Sequence, residues 1–332
     1  MTNLYSVLMD INLQLFAELN TNVTTDSGLS VENKTFYDMT LIDEAQANLV
    51  HDQFAQKRPI PKNGGKKIEF RKFASLPKAL NPLTEGVTPD GKKLSVTSFE
   101  AEVAQYGDYI VQSDVLELTS IDNTIVEATK ILGRQAGLTL DTITRNKLQA
   151  GTNVFYAPKA DGTPVTTRAG LDATCKLTVD VVNRVVAFLK KNNAPKINGD
   201  YVAIIHPLVA YDLISDPAWI EAHKYAQPEN IYNGELGKIG GVRFVESSEA
   251  KVYDNGVFGC LFLADGAYGT TEITGGGLET IIKQKGSAGT ADPLNQRSSI
   301  GWKAMKTAEI LVEPYMVRVE CKSALSGEAE AN

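Results

Sequence analysis

With 332 residues, 43% hydrophobic and 22% charged, and a formal net charge of −7, the chain has the make-up of a globular protein with a normal core. The length is a prior for two domains, or one domain with elaborations. The acidic balance argues against a basic shell that grips nucleic acid by neutralising phosphates, and no run of eighteen apolar residues exists to cross a membrane as a helix.

Cys175, Cys260 and Cys321 are far apart, with no CxxC. An odd, sparse set argues against a disulfide framework and fits a reducing cytoplasm. Cys260 lies in the apolar run Val257–Leu263 and Cys321 ends an alternating stretch, so both read as core residues.

No Lys, Arg or His precedes Lys34, which argues against a secretory signal, a transit peptide or a basic DNA-binding arm at this end. Leu4, Leu8, Ile11, Leu15 and Leu19 fall on one face of a helix. That helix either packs on its own domain or docks on another subunit or an assembly factor. The polar stretch Asn20–Ser30 reads as a linker. A helix resumes at Leu41, Ala45 and Leu49, with Thr40 as cap, and Pro59 and Pro61 stop it.

Lys66–Phe73 and Leu94–Tyr106 then read as strands, because apolar and charged residues alternate with period two. The connection between them is about twenty residues long and carries Pro77, Pro82, Pro89, Gly86 and Gly91. Loops beyond about 12–15 residues are uncommon in compact domains, and an isolated hairpin is marginal in water. The arm therefore needs another surface, and a neighbouring copy of the chain is the simplest one. Lys62, Lys66, Lys67, Arg71, Lys72, Lys78, Lys92 and Lys93 make the region locally basic. They form either a solvated face or a complement to an acidic patch on a neighbour, and the arm's need for a partner favours the second.

A long helix runs from about Ile121 to Ala150, with Ile121, Ile125, Ala128, Leu132 and Gln135 on one face and Ile143 later. Gly133 and Gly137 weaken it by about 1 kcal/mol each relative to Ala, so they mark a bend or a close approach by another backbone. Residues 151–176 read as a loop or short hairpin. Thr178 caps a helix bearing Val179, Val182, Val186 and Leu189. Tyr201–Ile205 is a buried strand, and His206-Pro207 opens a helix that Asp216-Pro217 closes. Strands follow at Val242–Val245, Val257–Leu263 and Leu278–Lys283. In the last strand Val317, Val319 and Cys321 face one way, and Arg318, Glu320 and Lys322 the other. Pro314 makes its start an edge or a bulge, and the acidic tail Ser323–Asn332 reads as mobile.

Few residues suggest catalysis. The histidines are His51, His206 and His223, with no HExxH and no pair at metal spacing. No Walker loop, GxGxxG or GxSxG occurs. No catalytic, cofactor or metal site is expected. An enzyme or carbohydrate-binding module would leave the long arm unexplained.

The order of segments and four stretches carry a resemblance. NLQLFAE (Asn12–Glu18) is similar to the opening of coat proteins from phages of Gram-positive bacteria. NTNVTTDSGLSVENKTFYD (Asn20–Asp38), KKIEFRKFASLPKALNPLTEGVTPDGKKLSV (Lys66–Val96) and ADPLNQRSSIGWKAMKTAEIL (Ala291–Leu311) resemble the podovirus-type major capsid proteins of tailed bacteriophages. The resemblance implies an α+β fold, the coat fold shared with the Hong Kong phage. Its parts would be an N-arm with helix (1–61), an E-loop (62–106), a peripheral domain (107–177 and 278–332) with a spine helix (114–150), and an axial domain (178–277). It implies a structural shell protein, not an enzyme, that forms hexamers and pentamers of an icosahedral head around double-stranded DNA. The expected partners are the chain itself, a separate scaffolding protein, a portal protein, and DNA held without sequence-specific contacts. The location would be the virion, after assembly in the bacterial host cytoplasm, with no membrane contact.

Residues expected at contacts between subunits are Lys66, Lys67, Arg71, Lys78, Lys92 and Lys93 in the E-loop, and Leu8, Ile11 and Leu15 in the N-arm. Some relatives cross-link through a Lys and an Asn. Lys78 and Asn295 match no motif for that pair, so the chemistry is not carried over. A bacterial nanocompartment shell of the same fold is the alternative.

Overall fold

Two apolar runs, Tyr201–Ile205 and Val257–Leu263, form the middle of a seven-stranded sheet and are buried at every residue. A strand covered on both faces has no polar side to alternate with, which is why these runs are continuous. The computed structural model describes residues 41–332, except 42–43, 46–48, 62, 64, 74–75, 84, 87, 89, 120–123, 225–235, 272–275 and 288–291. The helix face at Leu4–Leu19, the Thr40 cap and the contact residues Leu8, Ile11 and Leu15 lie outside the described residues.

The elements in chain order begin with β1 (Gln56–Lys57), β2 (Lys67–Phe73), β3 (Val96–Glu102), β4 (Ala104–Ser113), α1 (Asp114–Thr119), α2 (Thr124–Gln149) and β5 (Val154–Tyr156). Then come α3 (Val179–Lys191), β6 (Tyr201–Ile205), α4 (Pro207–Ile214), α5 (Pro217–Lys224), β7 (Lys238–Ile239), β8 (Val242–Glu246) and β9 (Val252–Tyr253). The chain ends with β10 (Val257–Leu263), β11 (Tyr268–Thr271), β12 (Glu279–Lys283), β13 (Arg297–Ile310) and β14 (Met316–Cys321). The expected spine helix is thus described as two helical pieces, α1 and α2.

The seven-stranded sheet has the order β5-β14-β10-β6-β8-β7, with β9 beside β10. One face, including Ala203, Ile205, Cys260, Phe262, Val317 and Cys321, packs with Val182, Val185 and Leu189 of α3 and with α4. The other face, including Val202, Ile204, Leu261 and Leu263, packs with Leu148 of α2 and with Val50 and Phe54. A second sheet is built on β13, which pairs with β4 along one side and with β12 and then β11 along the other. Trp302, Ile300 and Ala304 of β13 form its core with Leu132, Ala136 and Leu140 of α2. The hairpin β2–β3 stands as a two-stranded sheet of its own.

Several expectations change. The buried face of α2 is Ala128, Leu132, Ala136 and Leu140. Gln135 is exposed and donates to Asp108 at 2.6 Å. β13, which the sequence marks only through a family signature, is a fourteen-residue strand. β14 does not lie at an edge, since β5 and β10 flank it; Pro314 sits in the helical turn Glu313–Tyr315 just before it. The charged side of β14 is not solvated. Glu320 is fully buried and receives Arg168 Nε and Nη2 at 2.7 and 2.6 Å. The tail is held rather than loose: Ala324 N donates to Asp212 at 2.9 Å, and Asn332 exchanges hydrogen bonds with Val252 at 3.0 and 3.2 Å. Thr178 does sit at the N-cap of α3 but makes no side-chain cap bond, and Asp216 accepts from Val179 N instead, at 2.9 Å. The sheets also cut across the expected segments. β5 and β14, outside 178–277, join the seven-stranded sheet, whereas β11, inside it, joins the other.

Candidate functional site

Two regions carry the exposed and the buried charge of interest. The first is an anchor where residues 41–57 meet α2. Gly133 and Gly137 let the backbone there come close: a Cβ on Gly133 would lie 2.8 Å from Leu41 O, and one on Gly137 2.4 Å from Ala45 O. Of the two readings of these glycines, close approach is the one observed. Beyond this crossing the contact becomes polar. His51 N donates to Asp141 Oδ1 at 2.7 Å, and His51 Nδ1 lies 2.6 Å from Asp141 Oδ2, so Nδ1 carries the proton. The Tyr268 hydroxyl donates to the His51 carbonyl. Burial holds that phenol well above its ordinary pKa, so it remains a donor.

One turn further on, Asp52 accepts from Thr144 Oγ1 at 2.6 Å and from the Lys306 ammonium, which also donates to Leu140 O at 3.1 Å. His51, Asp141, Thr144 and Lys306 are all buried. A cleft of about 550 Å³ opens beside this cluster, lined in part by Leu49, Lys57, Leu278 and Met305. Its ionic pair is already closed. The arrangement joins the start of the described chain, α2 and β13; it offers no free nucleophile. The sequence reading missed the cluster, because Asp52 and Lys306 lie 254 residues apart. A local sign is the polar run His51–Gln53 set between Leu49, Val50 and Phe54.

The C-terminal turn of α2 fastens the other sheet. Arg145 Nη1 donates to Glu249 O at 2.7 Å, and Gln149 Nε2 donates to Gly259 O at 2.8 Å. His206, the other described histidine with side-chain contacts, caps α4 by accepting from Leu208 N at 3.2 Å. Its burial lowers its pKa below the ordinary 6.5. His51 and His206 are therefore structural. Among the described residues, no group of three His, Cys, Asp or Glu could hold a metal. Cys175, Cys260 and Cys321 are free and buried, as a core role expects.

The second region is the extended loop. Phe70 and Ala101 are buried at the base of the hairpin, where Phe70 and Phe99 face each other across the strands. Past that base every described residue from Phe73 to Ser98 is exposed. Leu80 and Leu83 are 80% and 77% exposed, and Phe73, Leu76, Leu94 and Val96 continue the series. The expected contact residues separate into two groups. Lys67 pairs with Glu100 at 3.4 Å, and Arg71 with Glu69 at 2.9 Å, within the hairpin. Lys66, Lys78, Lys92 and Lys93 are exposed and form no ion pair among the described residues. Contiguous exposed apolar surface of this kind marks an interaction site.

Similarity to known proteins bears on the role of the chain as a whole. A family model described as phage capsid protein matches residues 97–318, well over half of the chain.

The chain belongs to the phage capsid protein family.

As a major capsid protein, it is a structural component that assembles with copies of itself into the capsid shell, and its place is in the virion. No curated protein sequence matches it significantly. Solved structures agree on the fold. The capsid of cyanophage P-SCSP1u is 15% identical, with a TM-score of 0.65, covering 81% of this chain and 87% of that one. The cyanophage Pam1 capsid is 13% identical, with a TM-score of 0.64, covering 85% and 92%. A virus-like particle from Pyrococcus furiosus is 9% identical, with a TM-score of 0.51, covering 87% and 99%. Likeness at this identity is one of fold. The family match sets the capsid protein with phage coats rather than with nanocompartment shells.

Proposed function

We propose that the capsid protein builds an icosahedral head from hexamers and pentamers, in which each extended loop lies on a neighbouring subunit. The observation that carries this is the loop itself. Its leucines are exposed, and its lysines Lys66, Lys78, Lys92 and Lys93 form no ion pair among the described residues. Each such contact is modest, but many form together, so the shell gains avidity from geometry. Rings of five and six close by heterologous contacts.

In this reading Met1–Pro61 is the N-arm, with Leu8, Ile11 and Leu15 facing another subunit. The long helix is the spine, the seven-stranded sheet is the axial domain, and the β13 sheet is the peripheral domain. The chain performs no catalysis. A separate scaffolding protein guides assembly in the host cytoplasm, a portal protein occupies one vertex, and the −7 net charge keeps packaged double-stranded DNA from adhering to the wall.

Mass measurement and negative-stain imaging of the purified protein, alone and with a co-expressed scaffold, test the proposal. Closed shells, rings of five or six, or curved sheets are expected. A monodisperse monomer of 36.0 kDa under every condition would overturn it.

A further inference from the structure

The cysteines are scattered along the sequence but meet in one core. Cys175, Cys260 and Cys321 are fully buried in the same apolar cluster. Cys260 lies on β10 and Cys321 on β14, antiparallel neighbours in which Phe258 faces Cys321 and Cys260 faces Val319. Residues two apart share a face of a strand, so the two cysteines are diagonal neighbours on one face of the sheet. Their sulfurs are 3.8 Å apart, although the residues are separated by 61 positions in sequence. Cys175 is near in the backbone, where its carbonyl accepts from Lys322 N at 2.8 Å. Its sulfur is turned to Asp172 instead, at 3.5 Å. Among the described residues one pair of thiols is therefore in contact, and one thiol stands apart.

Two thiols in contact are one two-electron oxidation away from a bond. A virion protein meets two redox regimes: thiols stay reduced inside a cell, and disulfides form and persist outside it. We propose that Cys260 and Cys321 are a site of oxidative modification, closed to an intrachain disulfide by a small anionic disulfide once the capsid protein is outside the cell. The site goes beyond the shell reading and depends on no particular shell geometry.

The step is an exchange. One protein thiolate attacks a sulfur of the small disulfide, RSSR, forms a mixed disulfide and expels RS⁻. The second protein thiolate attacks the mixed disulfide at the protein sulfur and expels the other RS⁻. Two protein thiols lose two electrons and two protons, and one RSSR becomes two RSH. The contact suits the second attack, since the sulfurs need only close from 3.8 Å to about 2 Å. Side-chain rotation and a small shear of the two strands supply that movement. Strain left over from it keeps the bond open to reductants.

The first attack needs an approach, and the end of β14 provides one. A cleft of about 500 Å³ is lined by Lys322, next to Cys321, and by Val257, next to the Phe258 that faces Cys321, with Arg168 and Asp254 beside them. Arg168 is held by Glu320, whereas Lys322 forms no ion pair among the described residues. An ammonium one residue from the thiol draws in an oxidant that bears carboxylates. Contact with the Cys260 thiol, and then burial, hold the Cys321 thiol well above its ordinary pKa. In the closed subunit it is protonated and inert. Reaction follows local opening of the tail Ser323–Asn332, whose Ala329 packs against the same core. Cys175 does not compete, because burial and the neighbouring Asp172 carboxylate disfavour its thiolate.

The test uses the full-length protein, purified under reductant and then held in oxidised glutathione for several days. Samples are quenched in denaturant with N-ethylmaleimide, and intact mass counts the remaining thiols. The labels are expected to fall from three to one in a single step, with the surviving label on Cys175. Peptide mapping should join Cys260 to Cys321 within one subunit, and dithiothreitol should restore three labels. The melting temperature should rise on oxidation, because the bond constrains the unfolded chain. Cys260→Ala and Cys321→Ala should form no such link and show no rise. Three labels throughout, a link between subunits, or a glutathione adduct confined to Cys175 would overturn the proposal. Should either variant fail to fold, the wild-type label count and peptide map still decide.

Discussion

The anchor around residues 49–57 and the loop beyond Phe73 use similar residue types to opposite ends. Each mixes lysines, carboxylates and large apolar side chains. In the anchor the buried charges are closed within the chain: Asp52 on Lys306 and Thr144, Asp141 on His51. In the loop neither the lysines near the tip nor the leucines find a partner among the described residues. Charges that are buried and closed hold one subunit together, and breaking such a pair is costly. Charges and apolar groups left open cost little folding stability, and they become useful only when another surface arrives. On the proposed reading, the difference separates what folds the capsid protein from what assembles it.

Deleting Ser75–Lys92 is the strongest way to break that comparison. Assembly is expected to be lost entirely, while the melting temperature of the unassembled subunit stays near the wild-type value. Sedimentation and differential scanning calorimetry on the same sample read both. A large fall in melting temperature would mean that the loop also supports its own subunit. Asp52→Ala should do the reverse. It leaves the Lys306 ammonium buried without its carboxylate, a change that typically costs about 3–5 kcal/mol. Urea unfolding of the subunit should show it, and a double variant with Lys306→Met should recover most of the loss.

Much of this division was legible in the sequence, for physical reasons that differ by region. The hairpin was legible because a solvent-exposed strand pair keeps its period-two alternation, and because Pro and Gly punctuate the connection. His206-Pro207 announced its helix because the cap is local. β13 was harder. Its alternation of Ile300, Trp302, Ala304 and Ala308 is interrupted by Lys306, which is buried only because Asp52 is there to meet it. Glu320 misled in the same way, as its burial depends on Arg168, 152 residues away. The tail looked mobile because its contacts with Asp212 and Val252 are set by the fold and not by its composition. Local rules recover elements; pairs that close across the chain come only with the coordinates.

Gly137→Ala sharpens the anchor side at smaller scale. The added methyl would stand 2.4 Å from Ala45 O, so the crossing must open. Overpacking of this kind costs about 1–3 kcal/mol, against the ~1 kcal/mol that Ala gains over Gly in a helix. A net loss in chemical denaturation is expected, with shell formation retained at low temperature. Greater stability than wild type would show that the crossing is not tight.

The smallest expected effect concerns pH. His206 accepts a hydrogen bond on Nδ1 from Leu208 N, which requires that nitrogen to be unprotonated. Burial lowers its pKa in the folded chain below the ordinary 6.5. Between the two values the unfolded chain binds more protons than the folded one, so stability rises with pH in that window. It is fully present above about 6.5 and is lost as pH falls toward the folded-state value. His206→Asn keeps a capping acceptor and removes the titration. Its unfolding free energy should therefore fall less steeply than wild type below pH 6.5, while the two proteins assemble alike. An unchanged slope would assign that part of the acid sensitivity to other groups.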